Sequence, residues 1–233
     1  MLQQINLRCD TISEREEQFL KVLLMYDLII KNGLIYDGKG GRPFKADIAI
    51  LEEKIVSVGS IKGESKKTID ASGRIVTPGF VDIHTHYDGQ VTWDPYLRPS
   101  TYHGVTTVVM GNCGVGFSPC KPDQRDWLIG LMEGVEDIPG TALHEGIDWE
   151  WESFPEYLDA LEKKPLAIDV GTQIPHGAVR AYVMGERGIN HEEATEEEIK
   201  KMKQIVKEAI EAGAYGFSTC LLYTSDAADE TCR

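Results

Sequence analysis

Two histidines one residue apart, His84 and His86, follow a Thr77-Pro78-Gly79 turn and a short apolar run, Phe80-Val81-Asp82-Ile83. In an extended strand alternate side chains share a face, so both imidazoles can reach one ion from one rigid support. The same triplet also occurs as two unrelated polar side chains on an open sheet face, and spacing alone does not separate the two readings. Position favours a metal half-site. Phe80, Val81 and Ile83 suit a strand buried on both sides, and the histidines fall at its C-terminal end, where parallel α/β barrels keep their chemistry.

A third donor stands at the end of another such strand. Val105 to Met110 is β-branched and apolar and leads into the turn Gly111-Asn112-Cys113-Gly114. A small buried hydrophobe is the commonest fate of a free cysteine. A thiolate in this turn, beside a His-x-His strand, could instead bind or bridge zinc, which suits a mixed imidazole and thiolate set where magnesium or calcium would want oxygen. Cys120 has no such context. Asp88 reads either as a carboxylate orienting a ligand histidine or as a plain turn residue.

The elements that position these groups fall into two styles. From Tyr26 to Val76, short apolar runs (Asp27 to Lys31, Leu34 to Tyr36, Ala46 to Leu51, Ile55 to Val58, Arg74 to Val76) alternate with Asn32-Gly33, Asp37-Gly38, Gly40-Gly41 and Ser72-Gly73. This pattern predicts strands in hairpins, a small antiparallel β unit over 25–76 that packs on other chain. After His86 the strands are separated by longer segments. Leu166 to Gly171 is the next buried-strand candidate, and Ser153 with Glu156 predicts a capped helix before it. Thr195 with Glu198 opens a second helix, whose apolar stripe runs through Ile199, Met202, Ile205, Val206, Ala209 and Ile210, with Gly213 closing it. Ala214 to Thr219 would be the next strand. Strand, connection, strand, helix, strand is the arithmetic of a parallel barrel or doubly wound sheet.

The chain has 233 residues and a formal charge of -14, from 38 Asp and Glu against 24 Lys and Arg. The acid excess, with no basic cluster, argues against a nucleic-acid partner. The longest apolar run, Val22 to Ile30, is broken by Tyr26 and Asp27 and is far short of the ~20 residues a membrane helix needs. The acidic head Asp10 to Glu17 does not suit a secretory signal, so a cytoplasmic protein is expected. Cys9, Cys113, Cys120, Cys220 and Cys232 follow no disulfide framework, which leaves thiols or metal ligands. Residues 1–24 read either as a misassigned start before Met25 or as an amphipathic helix over 13–24.

The sequence resembles the amidohydrolase superfamily and, within it, the N-acyl-D-amino-acid deacylases. The likeness rests on Asp27 to Gly33, Pro78 to His86, Gly104 to Gly114, Trp149 to Leu161, His176 to Arg180 and Gly216 to Thr219, so it covers roughly Tyr26 to Thr219. The Asn-Cys-Gly motif, in place of a lysine-bearing strand, points to the deacylase group. The resemblance implies a zinc-dependent hydrolase of N-acyl amino acids on a (β/α)8 barrel preceded by a small antiparallel β-sandwich, with His84, His86 and Cys113 as zinc ligands. His176 and Arg180 match a family motif and face either the pocket or a loop.

Residues 77–219 hold about four of the eight βα units that such a barrel needs, so the barrel is expected to be half present. The remaining histidines and the aspartate base would lie beyond it, leaving this piece inactive. Residues 220–233 depart from the family pattern and resemble a translated sequencing adapter. Two other functions fit the same motifs: a cyclic amidohydrolase of the hydantoinase or dihydroorotase type, which bridges two metals with a carboxylated lysine, and a barrel scaffold without catalysis.

Overall fold

The computed structural model describes residues 25–220. The alternatives for 1–24 and residues 221–233 of the expected foreign tail 220–233 lie outside the described residues. The chain divides between Pro78 and Gly79 into two compact units.

The first unit is a single mixed sheet of β1 (Tyr26–Ile35), β2 (Phe44–Leu51), β3 (Lys54–Gly59), β4 (Ser65–Asp70) and β5 (Ile75–Val76). The order is β3-β2-β1-β4, with β5 also on β1. Only β1, β2 and β3 form the expected antiparallel hairpins. Both β4 and β5 run parallel to β1, so the expected all-antiparallel unit is corrected. The reason is connectivity. β3 already runs in the direction of β1, and the chain then crosses to the free edge of β1 instead of turning back on β3.

Asn32-Gly33, read as a hairpin turn, lies inside β1. Asn32 has φ 62°, and the register against β2 shifts between Ile30 and Gly33. The pair forms a bulge, in which one residue takes the left-handed conformation that asparagine tolerates. Asn32 is held there by a bond from its backbone N–H to Asp47 (2.8 Å) and one from its side chain to Asp70 (3.1 Å). At Gly33 a Cβ would come within 2.7 Å of Val76 Cγ2.

The second unit carries the candidate site. Its strands are β6 (Phe80–Asp82), β7 (Val105–Met110), β8 (Asp169–Thr172), β9 (Ile174–Pro175) and β10 (Phe217–Ser218). β6, β7 and β8 pair in parallel in chain order, and β9 pairs in parallel with β10. Only Gln173 separates β8 from β9, and its N–H donates to Met110 C=O at 3.0 Å. The helices are α1 (Arg125–Glu136), α2 (Gly140–Gly146), α3 (Phe154–Glu162), α4 (His176–Met184), α5 (Glu186–Ile189) and α6 (Glu196–Ala212). Both expected capping boxes are present, with Ser153 accepting from Glu156 N–H and Thr195 from Glu198 N–H. Among the described residues no helix is long and apolar enough to cross a membrane.

The core lies between β7, β9 and the helices, around Val108, Met110, Phe117, Leu128, Met132, Phe154, Tyr157 and Ile174. Two expectations are corrected. Phe80, Val81 and Ile83 are 62, 59 and 73 % exposed instead of buried on both sides. β6 is a three-residue edge strand with β7 as its sheet neighbour. The third strand starts at Asp169, not Leu166, because Ala167 N–H is taken by Pro95 C=O at 2.9 Å outside any ladder. In α6, Met202, Ile205, Val206 and Ala209 pack on the core, while Ile199 and Ile210 at the stripe ends stay exposed.

Candidate metal centre

The strand ends meet at one place, and each donor is set there by its own backbone. Thr85, between the histidines, turns to the other side and donates both its N–H (3.0 Å) and its hydroxyl (2.9 Å) to Val109 C=O. His84 and His86 lie just past the end of β6 instead of within the expected strand, and they flank the pinned Thr85 with ring centroids 5.5 Å apart.

Cys113 sits in a 3-10 turn, Asn112–Gly114, directly after β7. Gly111, Cys113 and Gly114 all have φ in the left-handed range (73°, 53° and 73°). Glycine is required at 111, since a Cβ there would lie 2.1 Å from Gln173 C=O. Asn112 is buried, and its side-chain amide is fully used. It donates to Thr85 C=O (3.1 Å) and Val109 C=O (2.9 Å), and it accepts from Gln173 Nε2 (2.8 Å). Ser218 on β10 donates to Gly111 C=O and accepts from Gly114 N–H at 3.1 Å. The cysteine turn is thereby tied to the segments after β6 and β8 and to β10.

The outcome is a cluster in which one ligand atom each from His84, His86 and Cys113 lies within 4.8 Å of the others. His84 Nε2 is 3.2 Å from Cys113 Sγ. Buried His86 Nδ1 has no hydrogen-bond partner, a cost of about 1–3 kcal/mol that ligation or a hydrogen bond would relieve. Burial, and then His84, lowers the His86 pKa to about 4. The imidazole is therefore neutral at pH 7, the form that ligates. Burial, Glu136 and Cys220 push the Cys113 thiol up. A cation reverses that field, since a coordinating thiol is deprotonated outright. Two imidazoles and one sulfur in this space fit a zinc-type ion.

Sequence reasoning missed Glu136, at the end of α1. Its Oε1 lies 3.2 Å from His86 Nε2. With His86 neutral, this contact is not an ion pair of two full charges. The signal was helical spacing: Leu128, Met132 and Glu136 recur every fourth residue on the buried stripe. Asn112 and Gln173 were likewise unassigned.

Asp88 is 2 % exposed, and its pKa is raised to about 7 by burial, against hydrogen bonds from the Asp88 and Gly111 N–H groups, with Glu136 raising it further. The bond from Gly111 links Asp88 to the cysteine turn. His176, the first residue of α4, lies beside that turn, with Nδ1 3.0 Å from Thr219 Oγ1. Burial and then Arg180 lower its pKa. Arg180 is not brought to the cluster, since its guanidinium donates to Gly188 C=O (3.2 Å) and Glu192 C=O.

Parallel strands in chain order with a His, His, Cys cluster at their C-terminal ends define an α/β protein with a candidate metal centre. The chain matches the Amidohydrolase family over residues 67–231, and it belongs to that family. It is 33 % identical to D-aminoacylase of Alcaligenes xylosoxydans xylosoxydans over 215 residues, 89 % of this chain and 42 % of that one. A crystal structure of D-aminoacylase matches with a TM-score of 0.71 at 31 % identity, over 87 % of this chain and 40 % of that one. The N-acyl-D-glutamate deacylase of Bordetella bronchiseptica, complexed with zinc and a phosphonate inhibitor, matches with a TM-score of 0.72 at 32 % identity, over 88 % and 40 %. The chain thus spans about two-fifths of the length of these relatives.

Proposed function

We propose that this chain carries the metal-binding part of a zinc-dependent hydrolase that releases D-amino acids from N-acyl-D-amino acids. The observation that carries the reading is the convergence of His84, His86 and Cys113 within 4.8 Å. The substrate class is taken from the relatives, two of which are named as D-aminoacylase and N-acyl-D-glutamate deacylase.

On this reading His84 and His86 hold the ion from the segment just after β6, and Cys113 holds it from the turn after β7. A bound zinc ion polarises an amide carbonyl and lowers the pKa of a coordinated water toward ~7. The chain's own residues supply the frame. Asn112 fixes the cysteine turn against the histidine strand, and burial keeps His86 unprotonated. Asp88 holds the Gly111 N–H, and His176 lines the far side of the turn. The general base and further ligands belong to the part of the relatives that this chain does not span. The first unit and residues 77–219 are then a small β domain and the opening βα units of a barrel, acting on a small molecule in the cytoplasm.

The test is release of free amino acid from paired N-acetyl-D- and N-acetyl-L-amino acids by the complete reading frame that contains this chain, loaded with zinc. D-selective hydrolysis lost in Cys113→Ala supports the proposal. Hydrolysis of hydantoin or dihydroorotate, with linear amides untouched, would replace it by the cyclic amidohydrolase reading.

A further inference from the structure

The strand that carries the histidines ends before it reaches them. The last ladder pair of β6 is Asp82 with Val108. Ile83, the next residue, is 73 % exposed, and the chain returns to β7 only at Thr85, whose N–H donates to Val109 C=O at 3.0 Å. His84 therefore stands in a gap between two ladder contacts. A segment without such contacts is ordinarily mobile, whereas a pre-formed site needs its ligands held within about 0.5 Å of their places.

A side chain closes the gap. Asp82 Oδ1 accepts the backbone N–H of His84 at 3.2 Å. An aspartate bonded to the backbone two residues on forms an Asx turn, in which the carboxylate stands in for a backbone acceptor. This bond fixes the entry to His84, and Thr85, with N–H and hydroxyl both on Val109 C=O, fixes the exit. Between the two pins the His84 ring stands with Nε2 3.2 Å from Cys113 Sγ. Among the described residues the close donor cluster holds His84, His86 and Cys113, so Asp82 acts on the backbone and not as a donor.

We propose that Asp82 is the positioning residue of His84, replacing the missing strand ladder with a side-chain turn that sets the imidazole before the ion arrives. The inference rests on the metal-site reading. Its energetic content is preorganisation: without the turn, the histidine segment must be ordered at the moment of binding, and affinity falls by that cost.

The experiment is titration of the 233-residue chain with Zn2+ alone and with Co2+ alone, reading affinity by competition with a chromophoric chelator and geometry by the visible bands of cobalt. Amide exchange of the metal-free protein, followed by NMR, reports the His84 N–H directly. The proteins are wild type, Asp82→Ala, Asp82→Asn, Asp82→Ser, Cys113→Ala and, as a charge control, Asp126→Asn, whose side chain is 90 % exposed. Circular dichroism checks that each is folded. Asparagine keeps the turn and removes the charge, and serine makes the same turn more weakly.

The expected result is zinc affinity weaker by about fivefold to tenfold in Asp82→Ala, with altered cobalt bands and faster exchange at His84. Asp82→Asn and Asp126→Asn should stay within about twofold of wild type, and Asp82→Ser should fall between alanine and asparagine. Should Asp82→Ala not fold, Asp82→Ser against Asp82→Asn carries the comparison. Equal losses in Asp82→Ala and Asp82→Asn would overturn the proposal in favour of charge alone. Unchanged affinity and superimposable cobalt bands in Asp82→Ala would also overturn it. With binding lost in Cys113→Ala, either result leaves the metal site standing; no binding to wild type would overturn both.

Discussion

Replacing Asn112 by alanine tests the claim that one buried amide holds the cysteine turn against the histidine strand. The variant removes three hydrogen bonds, of 3.1, 2.9 and 2.8 Å. Val109 C=O keeps its two bonds from Thr85, so the loss falls on Thr85 C=O and Gln173 Nε2. Orphaning a buried polar group costs about 1–3 kcal/mol, so two together should remove about 3 kcal/mol from the second unit. All four tryptophans (Trp93, Trp127, Trp149 and Trp151) lie in that unit, so their fluorescence in urea reports its unfolding. With a slope of about 2 kcal/mol per molar urea, the midpoint should drop by about 1.5 M. Zinc binding should weaken in parallel. A drop under about 0.3 M with zinc affinity unchanged would refute the reasoning, since it would mean that water or a shifted Gln173 replaces the amide at no cost.

Other outcomes follow from the same geometry. Gly111→Ala should destabilise the second unit in the same urea assay, because its Cβ would sit 2.1 Å from Gln173 C=O at a left-handed φ; an unchanged midpoint would contradict this. Saturating zinc at 100 times its dissociation constant should stabilise the fold by about 2.7 kcal/mol, and EDTA or Cys113→Ala should abolish that gain. Ser153→Ala should cost about 1 kcal/mol through loss of the α3 cap. The Glu156 carboxyl is held below its ordinary range by the Ser153 N–H and then the Glu152 N–H. Its contribution is therefore present above the unfolded carboxylate pKa and lost as pH falls through the lower folded value. Glu156→Gln should flatten that acid limb of stability measured against pH, and an unchanged limb would remove the cap from the account.

What could be read from the chain beforehand divides on physical lines. The convergence of His84, His86 and Cys113 was legible from the close spacing of the histidines and the glycine-framed turn of Cys113, although the histidines lie just past β6 and not, as expected, in the strand itself. The capped starts of α3 and α6 were legible from equally local patterns. Asn32-Gly33 misled because the left-handed conformation it favours serves a bulge as readily as a hairpin. The polar run Ser65–Asp70 hid β4, since an edge strand with exposed faces needs no apolar alternation. Helix α1 carries Gly130 and Gly134 and opens from Gln124 without a side-chain cap, so its start and propensity signals were weak. Glu136 was out of reach because its meeting with His86 is tertiary. The exposure of Phe80 and Val81 depends on what pairs with the free edge of β6, which lies outside any window of sequence.

The backbone of Cys113 sets its ligand and its fold at odds. A side chain at φ 53° occupies a conformation that glycine enters freely and that costs other residues about 1 kcal/mol or more. Replacement by glycine should therefore yield a sturdier protein that has lost its sulfur. Mutation filtered for thermal robustness alone would drift toward that glycine, and only a demand for the bound ion would hold cysteine in place.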